Sequence, residues 1–182
     1  TNIVFLEGPQ IKLRPPLKSD LPLFLKWMND PLVWRYLGLA KPTFEHEEEQ
    51  WLINLEKRKD HDIILVIVVR ENNKPIGNMG LHNIQLSHRT AFTGAAIGEV
   101  DHWGMGYGYE AKMILLNYAF NTLNLRKICS FAIEYNKRSL AYNAKCGYKE
   151  EGRRKQQVFR DGKDWGEVMT AVYREEWEPL CA

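Results

Sequence analysis

A cluster of alternating glycines, Gly104-Met105-Gly106-Tyr107-Gly108, constrains the fold of this chain more than any other segment. It joins a strand-like stretch, Thr90–Gly98, to a stretch in which apolar residues recur at helical spacing from Ala111 to Tyr118. A strand that passes through glycines into a helix presents unpaired backbone N–H groups at the positive end of the helix dipole. Such a helix start binds phosphate or pyrophosphate, although the spacing alone is equally compatible with a plain strand–helix loop.

Two familiar phosphate-binding loops are excluded by the residues around this cluster. The dinucleotide fingerprint G-x-G-x-x-G requires glycine where the chain has Tyr109, and the cluster follows a fourth strand instead of opening a βαβ unit. The P-loop requires G-K-[ST], which is absent from the sequence. The sequence therefore predicts a phosphate site that is neither of the Rossmann nor of the Walker type.

The apolar patterns along the chain predict a mixed α/β (α+β) fold in one domain spanning residues 1–182. Ile63–Val69 is a continuous β-branched run, which is typical of a strand covered on both faces. Asp161-Gly162 between two strand-like stretches predicts a hairpin with a type I′ turn. The predicted order is β-α-α-β-β-β-α-β-α-β-β, with strands near 10–14, 63–69, 76–84, 90–98, 127–135, 148–160 and 163–173, and helices that begin after Asp20, Thr43, Gly108 and Asn136, the first ending at Asn29-Asp30-Pro31.

The composition excludes several classes of protein. The formal net charge of +2 over 182 residues argues against a general nucleic-acid-binding protein. The longest apolar run, Ile63–Val69, is far shorter than the ~20 residues that a membrane helix needs, and the N-terminal residues lack the features of a signal peptide. Three cysteines without a C-x-x-C motif fit reduced thiols. We therefore expect a soluble cytoplasmic protein, a monomer or homodimer, with no nucleic-acid or membrane partner.

The glycine cluster and its neighbours also resemble a known family. Residues 103–111, Trp-Gly-Met-Gly-Tyr-Gly-Tyr-Glu-Ala, resemble the acyl-CoA-binding loop W-G-x-G-Y-[GA]-x-E-A of the GNAT N-acetyltransferase superfamily, in its RimJ/RimL-type, ribosomal-protein-alanine acetyltransferase-like branch. Other segments that resemble this branch are Leu13-Arg14-Pro15 with Asp20 and Trp27-Met28-Asn29-Asp30-Pro31, Asn136-Lys137-Arg138-Ser139 with residues 145–152, and Arg174-Glu175-Glu176-Trp177. The resemblance covers nearly the whole chain, and it implies a mixed, mostly antiparallel sheet with a splayed parallel pair of strands and flanking helices.

The resemblance further implies acetyl-CoA as co-substrate and no metal. Backbone groups of Ala96, Ile97 and Gly98 would bind the pantetheine arm and polarise the thioester carbonyl. Asn136 would bond a pantetheine amide, although an N-cap of the following helix explains the same residue. The loop that would hold the pyrophosphate consists of Trp103, Gly104, Met105, Gly106, Tyr107, Gly108 and Tyr109, with Arg126, Lys127, Lys137, Arg138 and Lys145 as candidates for the 3′-phosphate.

Direct attack by a neutral amine needs no covalent nucleophile, but it needs a route for protons. The tyrosine that serves as acid in the family stands seven residues after the Asn, where this chain has Asn143. Tyr142 is one residue earlier, about 100° around a helix, so Tyr142 as acid, Asn143 lining the CoA arm and protonation by solvent are alternatives. Candidate bases are His82, Glu99 and Glu134, or a chain of water molecules.

The resemblance to this branch favours a protein N-terminal amine as acceptor, and a polyamine or an aminoglycoside is the alternative. A non-catalytic acyl-CoA-binding module and a nucleotide-binding domain are rival interpretations of the same glycines. Residues 126–163 hold 11 basic and 4 acidic residues, and residues 43–62 hold 3 and 7. We therefore expect a basic segment near the cofactor and an acidic segment near the acceptor, where Trp27, Trp34 and Tyr36 would also lie.

Overall fold

The computed structural model describes residues 2–182, and its elements follow the predicted order with three short additions, β1, α2 and α6. No helix within these residues is long and apolar enough to cross a bilayer. The strands are β1 (Leu6–Glu7), β2 (Ile11–Arg14), β3 (Ile63–Val69), β4 (Lys74–Gln85), β5 (Thr90–Ile97), β6 (Lys127–Ile133), β7 (Lys149–Arg160) and β8 (Lys163–Tyr173). The helices are α1 (Leu21–Met28), α2 (Pro31–Trp34), α3 (Glu45–Lys57), α4 (Tyr107–Asn121), α5 (Lys137–Lys145) and α6 (Arg174–Trp177).

Within the described residues, one eight-stranded sheet runs in the order β1-β2-β3-β4-β5-β6-β8-β7, and only the β5–β6 pair is parallel. This pairing is short, because it begins at Thr90 and Lys127 and ends at Phe92 and Cys129. Beyond that point β5 continues beside β4 as far as Ile97, and β6 continues beside β8 as far as Ile133. The two strands therefore diverge and leave a gap in the middle of the sheet. The predicted splayed parallel pair is confirmed.

The central strand β3 is covered on both faces, as its continuous apolar run predicts. Leu65 and Ile67 belong to a core that includes Leu115 and Leu116 of α4. On the other face Val66 and Val68 pack with Phe24 and Trp27 of α1. These alternate residues of one strand therefore fix α4 on one side of the sheet and α1 on the other.

The starts of three helices differ from prediction. Asp20 precedes α1 but does not cap it, because the buried Arg14 guanidinium donates to both of its carboxylate oxygens at 2.7 and 2.8 Å. Pro31 begins α2 instead of only ending α1, since Asp30 Oδ1 accepts from the N–H of Leu32 at 2.9 Å. α3 begins one residue later than a Thr43 cap implies, at Glu45.

The β7–β8 hairpin forms as predicted. Asp161 and Gly162 at its turn have φ values of 53° and 75°. Positive φ at both central residues is the signature of a type I′ turn.

Candidate active site

The gap between β5 and β6 opens into a cavity of about 520 Å³. Its size is in the range of small-molecule and cofactor sites. The walls come from the end of β5, from the glycine loop and the start of α4, from α5, and from α2 with the residues after it. Among residues 2–182, no carboxylate lines this cavity, whereas Arg138 and Lys145 do.

The glycine loop places the N-terminus of α4 at the cavity wall. Gly104 and Gly106 have φ values of 75° and 84°, a left-handed conformation that only glycine adopts readily. The first N–H that donates within the helix is that of Glu110, to the carbonyl of Gly106 at 3.0 Å. The N–H groups of the preceding helical residues, 107–109, therefore have no acceptor within the helix. Of the predicted loop residues, all except Met105, whose side chain is 56% exposed, line the cavity.

The backbone of β5 faces the gap at alternate residues. The carbonyl of Thr93 accepts from the Ser130 hydroxyl at 3.5 Å, and that of Ile97 accepts from the Trp103 indole N–H at 2.8 Å. Since alternate residues of a strand direct their backbone groups to opposite neighbours, Ala95 also faces the gap, whereas Ala96 faces β4. Sequence reasoning missed Ala95, although this alternation could have indicated it.

The prediction that Gly98 approaches the pantetheine arm is not supported by its position. Its N–H donates to the carbonyl of Ile76 at 2.8 Å, so Gly98 extends the pairing with β4. A Cβ at Gly98 would lie 2.1 Å from Cγ of Trp27. Glycine is required here because the indole of α1 packs against the backbone, and Gly98 does not line the cavity.

Asn136 combines two features predicted for it. Its Oδ1 accepts from the N–H of Ser139 at 3.2 Å and caps α5, and the residue lines the cavity. The cap uses only the amide oxygen, so Nδ2 remains free to donate to a ligand.

Tyr142 and Asn143 face different sides of α5, as the helical rotation requires. Tyr142 lines the cavity, and burial raises the pKa of its phenol, an effect that the Ser139 hydroxyl partly offsets. Asn143 is 1% exposed, is not part of the cavity wall, and its Nδ2 donates to the Ser130 hydroxyl at 3.4 Å. Its Oδ1 has no partner within residues 2–182. The structure therefore places Asn143 at the base of the gap and Tyr142 beside the cavity.

Glu99 is held in an ion-pair cluster instead of facing the cavity. Its Oε1 accepts from the Trp27 indole at 2.8 Å and from Lys26 Nζ at 3.0 Å, and Lys74 Nζ lies 3.5 Å from Oε2. Burial raises the pKa of this carboxyl, but the hydrogen bonds and the two ammonium groups outweigh it and hold the pKa below its usual range. Because the carboxylate is already paired and outside the cavity, its geometry does not support the role of base.

His82 lies on β4 and lines a second cavity, of about 370 Å³, together with Trp51, Arg58 and Asp62. Burial lowers the pKa of its imidazole, Asp62 raises it and Arg58 lowers it, with a net decrease. A Cβ at Gly94 of β5 would lie 3.1 Å from Nε2. His82 is therefore next to the strand that borders the gap, on the sheet face of α1 and α3.

The third candidate base, Glu134, accepts from the N–H of Gly166 at 2.8 Å through its carboxylate.

Arg138 joins the glycine loop to α5 and to the segment after α2. Its guanidinium stacks on the Trp103 ring at 3.7 Å and lies 5.6 Å from the centre of the Tyr36 ring. The other basic candidates for binding the 3′-phosphate differ in their positions. Lys145 lines the cavity, whereas Lys127 is paired with Glu151 at 2.7 Å and Arg126 donates to the carbonyl of His88 at 3.2 Å. No group of three His, Cys, Asp or Glu side chains within residues 2–182 is arranged to hold a metal ion.

Comparison with known proteins agrees with this geometry. The chain belongs to the GNAT acetyltransferase family, because the model of the acetyltransferase (GNAT) domain matches residues 10–149. This membership confirms the resemblance seen in the glycine loop and makes the protein an N-acetyltransferase, hence an acyltransferase.

Three similar proteins illustrate the range of the family. An uncharacterized protein of Methanocaldococcus jannaschii is 28% identical over 157 residues, which are 84% of this chain but only 31% of that protein's length. The [ribosomal protein uS5]-alanine N-acetyltransferase of Escherichia coli is 30% identical over 94 residues, 51% of this chain and 47% of the enzyme. The fold is similar to that of spermidine N-acetyltransferase from Vibrio cholerae in complex with CoA and spermine, with a TM-score of 0.84, 23% identity, and coverage of 94% and 99% of the two chains.

Proposed function

We propose that this protein transfers the acetyl group of acetyl-CoA to the N-terminal amine of a protein. The observation that carries the proposal is the gap between β5 and β6, which opens directly into the cavity at the N-terminus of α4. The donor groups there suit an acyl-CoA, because unpaired N–H groups and two cationic side chains can bind phosphates and no carboxylate opposes them.

Each part of the cavity has a role in holding the co-substrate. The N–H groups of residues 107–109 bind the pyrophosphate, with Lys145 and Arg138 as nearby cations. The backbone of Ala95 and Ile97 and the Nδ2 of Asn136 are the partners for the amides of the pantetheine arm. Because the gap gives access to both faces of the sheet, a thioester lying in it could be reached by an amine from the face of α1 and α3.

The proton transfers are assigned to Tyr142 and to His82. Acetyl-CoA supplies an activated acetyl group, and CoA leaves as a thiolate. Tyr142 keeps its phenolic proton at neutral pH, because burial raises its pKa, so that it can donate to the departing sulfur. His82, which is neutral at pH 7 because its pKa is lowered, accepts the proton of the incoming amine through water. Glu99 is not assigned the role of base, because it is paired with cations outside the cavity.

The charge on the acceptor side favours a peptide over a polyamine. A polyamine needs several free carboxylates, but only two line the His82 cavity within residues 2–182, and Asp62, one of them, is paired with Arg58. The other, Glu47, accepts from the N–H of Phe44 at 2.7 Å, and Glu99 beside α1 is paired with Lys26 at 3.0 Å. The similarity to the uS5-alanine enzyme supports the same acceptor class. A single N-terminal amine, unlike a polycation, needs no cluster of carboxylates for binding.

The test is the rate of CoA thiol release with a panel of amines. We expect short peptides with a free N-terminal Ala to accelerate release, and the same peptides blocked at the N-terminus to be inactive. Faster release with spermidine or with an aminoglycoside than with any peptide would refute the acceptor assignment. Binding of acetyl-CoA without acceleration by any amine would instead favour the non-catalytic module, and tight binding of ATP without binding of acetyl-CoA would favour a nucleotide site.

A further inference from the structure

Lys112 of α4 is a buried cation without an anionic partner. Its side chain is 1% exposed, and within residues 2–182 it forms no ion pair. Its Nζ donates to the Thr93 hydroxyl of β5 at 3.1 Å. A buried ammonium group that is not paired with a carboxylate is costly, so its retention in the core calls for an explanation.

The groups that face Lys112 are all neutral at pH 7. Its Nζ lies 5.2 Å from the ring centres of Tyr142 in α5 and of Tyr148, and the Thr93 hydroxyl that it contacts is also 2.7 Å from the Tyr148 hydroxyl. Burial raises the pKa of both phenols and raises that of the nearby Cys146 thiol to about 12. Burial lowers the pKa of Lys112 itself to about 8.

The ammonium group of Lys112 lies next to the gap between β5 and β6. Thr93 is the first residue of β5 after the last β5–β6 pair, so Lys112 contacts the strand where the gap begins. Tyr142, whose ring faces Lys112, also forms part of the cavity wall. One layer of side chains therefore separates the charge from the place proposed for the thioester.

We propose that Lys112 is a positioning residue for acetyl transfer, whose ammonium group holds Thr93 and Tyr142 at the gap and stabilises the negative charge that departs with the sulfur of CoA. The inference rests on the proposed function. In the transfer the amine nitrogen forms a bond to the acetyl carbon, and the C–S bond breaks with its electron pair going to sulfur. The amine loses one proton to water or His82, and the sulfur takes one proton from Tyr142, which water then reprotonates. Lys112 gives up no proton in this step and acts through its charge.

A consequence is that binding of the co-substrate and protonation of Lys112 favour each other. Acetyl-CoA brings several negative charges, which raise the affinity of a nearby amine for its proton. At pH 8.5 the free protein holds Lys112 largely neutral, so binding should take up a fraction of a proton. Acetyl-CoA has no free thiol that titrates near this pH.

The first test is calorimetric titration of acetyl-CoA at pH 8.5 in two buffers of different ionisation enthalpy. We expect net proton uptake by the wild-type protein and none by Lys112→Met, which replaces the ammonium with an uncharged chain of similar length. Lys57→Met, a change at an exposed lysine of α3, should match the wild type. Equal uptake by the wild type and Lys112→Met would overturn the inference, and Lys112→Gln gives a second test if the methionine variant does not fold.

The second test is the pH dependence of kcat/KM for acetyl-CoA, which reports groups of the free protein. In the free protein the charge of Lys112 is present below pH 8 and is lost as the pH rises through about 8, so kcat/KM of the wild type should fall above that pH. Lys112→Met should have about tenfold lower kcat at pH 7 with little change in KM for acetyl-CoA, and no fall near pH 8. Profiles of identical shape would contradict the inference while leaving the acetyltransferase intact, whereas a wild-type protein that does not bind acetyl-CoA would overturn both proposals.

Discussion

Tyr142 and Asn143 are neighbours in the sequence, yet one lines the cavity and the other lies at the base of the gap. The sequence predicts this separation from the helical rotation, but it does not say which of the two faces the cavity. That depends on how α5 packs against β6, where Ser130 accepts a hydrogen bond from Asn143. The place of Tyr142 at the cavity wall is the reason for proposing it as the proton donor.

Replacing Tyr142 with Phe tests this assignment. The ring and its contact with Lys112 remain, and only the hydroxyl is lost, so acetyl-CoA should bind with nearly unchanged Kd. We expect kcat to fall by about tenfold to a hundredfold, because general acid catalysis contributes on that order or more. Steady-state kinetics with a peptide acceptor measures the change, and Tyr118→Phe, outside the cavity, serves as control. An unchanged kcat in Tyr142→Phe would assign protonation of the thiolate to solvent.

Glu99 shows why side-chain roles cannot be predicted from local sequence alone. Its partners Lys26 and Trp27 lie more than seventy positions earlier in the chain, and the same indole explains Gly98. Likewise, the burial of Lys112 depends on Tyr142 and Tyr148, which no helical pattern in α4 reveals. The environments of Glu99, Gly98 and Lys112 are therefore set by contacts between segments that are distant in the sequence.

Glu99→Gln should affect stability and leave catalysis unchanged. The substitution removes the charge that pairs with Lys26 and Lys74, so we expect the free energy of unfolding to fall by about 1 kcal/mol at pH 7. Because the pKa of Glu99 is lowered in the folded state, this contribution is fully present above the usual carboxyl pKa, begins to decrease below it and is lost as the pH falls through the lowered pKa. Urea unfolding at pH 7 and pH 4 measures the difference, and a large loss of kcat would restore Glu99 as a catalytic candidate.

The glycine loop and α4 are the elements that the sequence predicts best. Their geometry follows from residue identity, because left-handed backbone at two alternate positions requires glycine, and the helix that follows is long and apolar. The length of the β5–β6 pair is harder to predict, since it depends on how far β5 stays paired with β4 and β6 with β8. The sequence therefore indicated a splay by resemblance, but only the strand register gives its start after Phe92.

The loop geometry can be tested with matched glycine variants. Gly106→Ala introduces a side chain at a φ of 84°, and the strain should displace the N–H groups at the start of α4. We expect the Kd for acetyl-CoA to rise about tenfold, measured by calorimetry. Gly162→Ala imposes similar strain at a φ of 75° in the β7–β8 turn, which does not line the cavity. Equal affinity in the two variants would refute the placement of the pyrophosphate.

At the scale of the whole molecule, the small net charge conceals two segments of opposite sign. The basic segment contributes Arg138 and Lys145 to the cavity, in agreement with a site for an anionic co-substrate. The acidic segment forms α3, which packs over β3 through Trp51 and Leu52 and does not line the cavity. Two of the segment's carboxylates, Glu47 and Asp62, line the His82 cavity, on the face from which the amine is proposed to approach. Because Asp62 is paired with Arg58, the free negative charge there suits one amine better than a polycation.

The most direct test of the account is to identify the acetylated atom in a peptide with two different amines. The peptide would begin with alanine and contain one internal lysine, and fragment masses after incubation with acetyl-CoA would locate the acetyl group. We predict acetylation of the N-terminal amine only, and slower product formation with Gly106→Ala than with Gly162→Ala. Acetylation confined to the lysine side chain, or to added spermidine, would contradict the account.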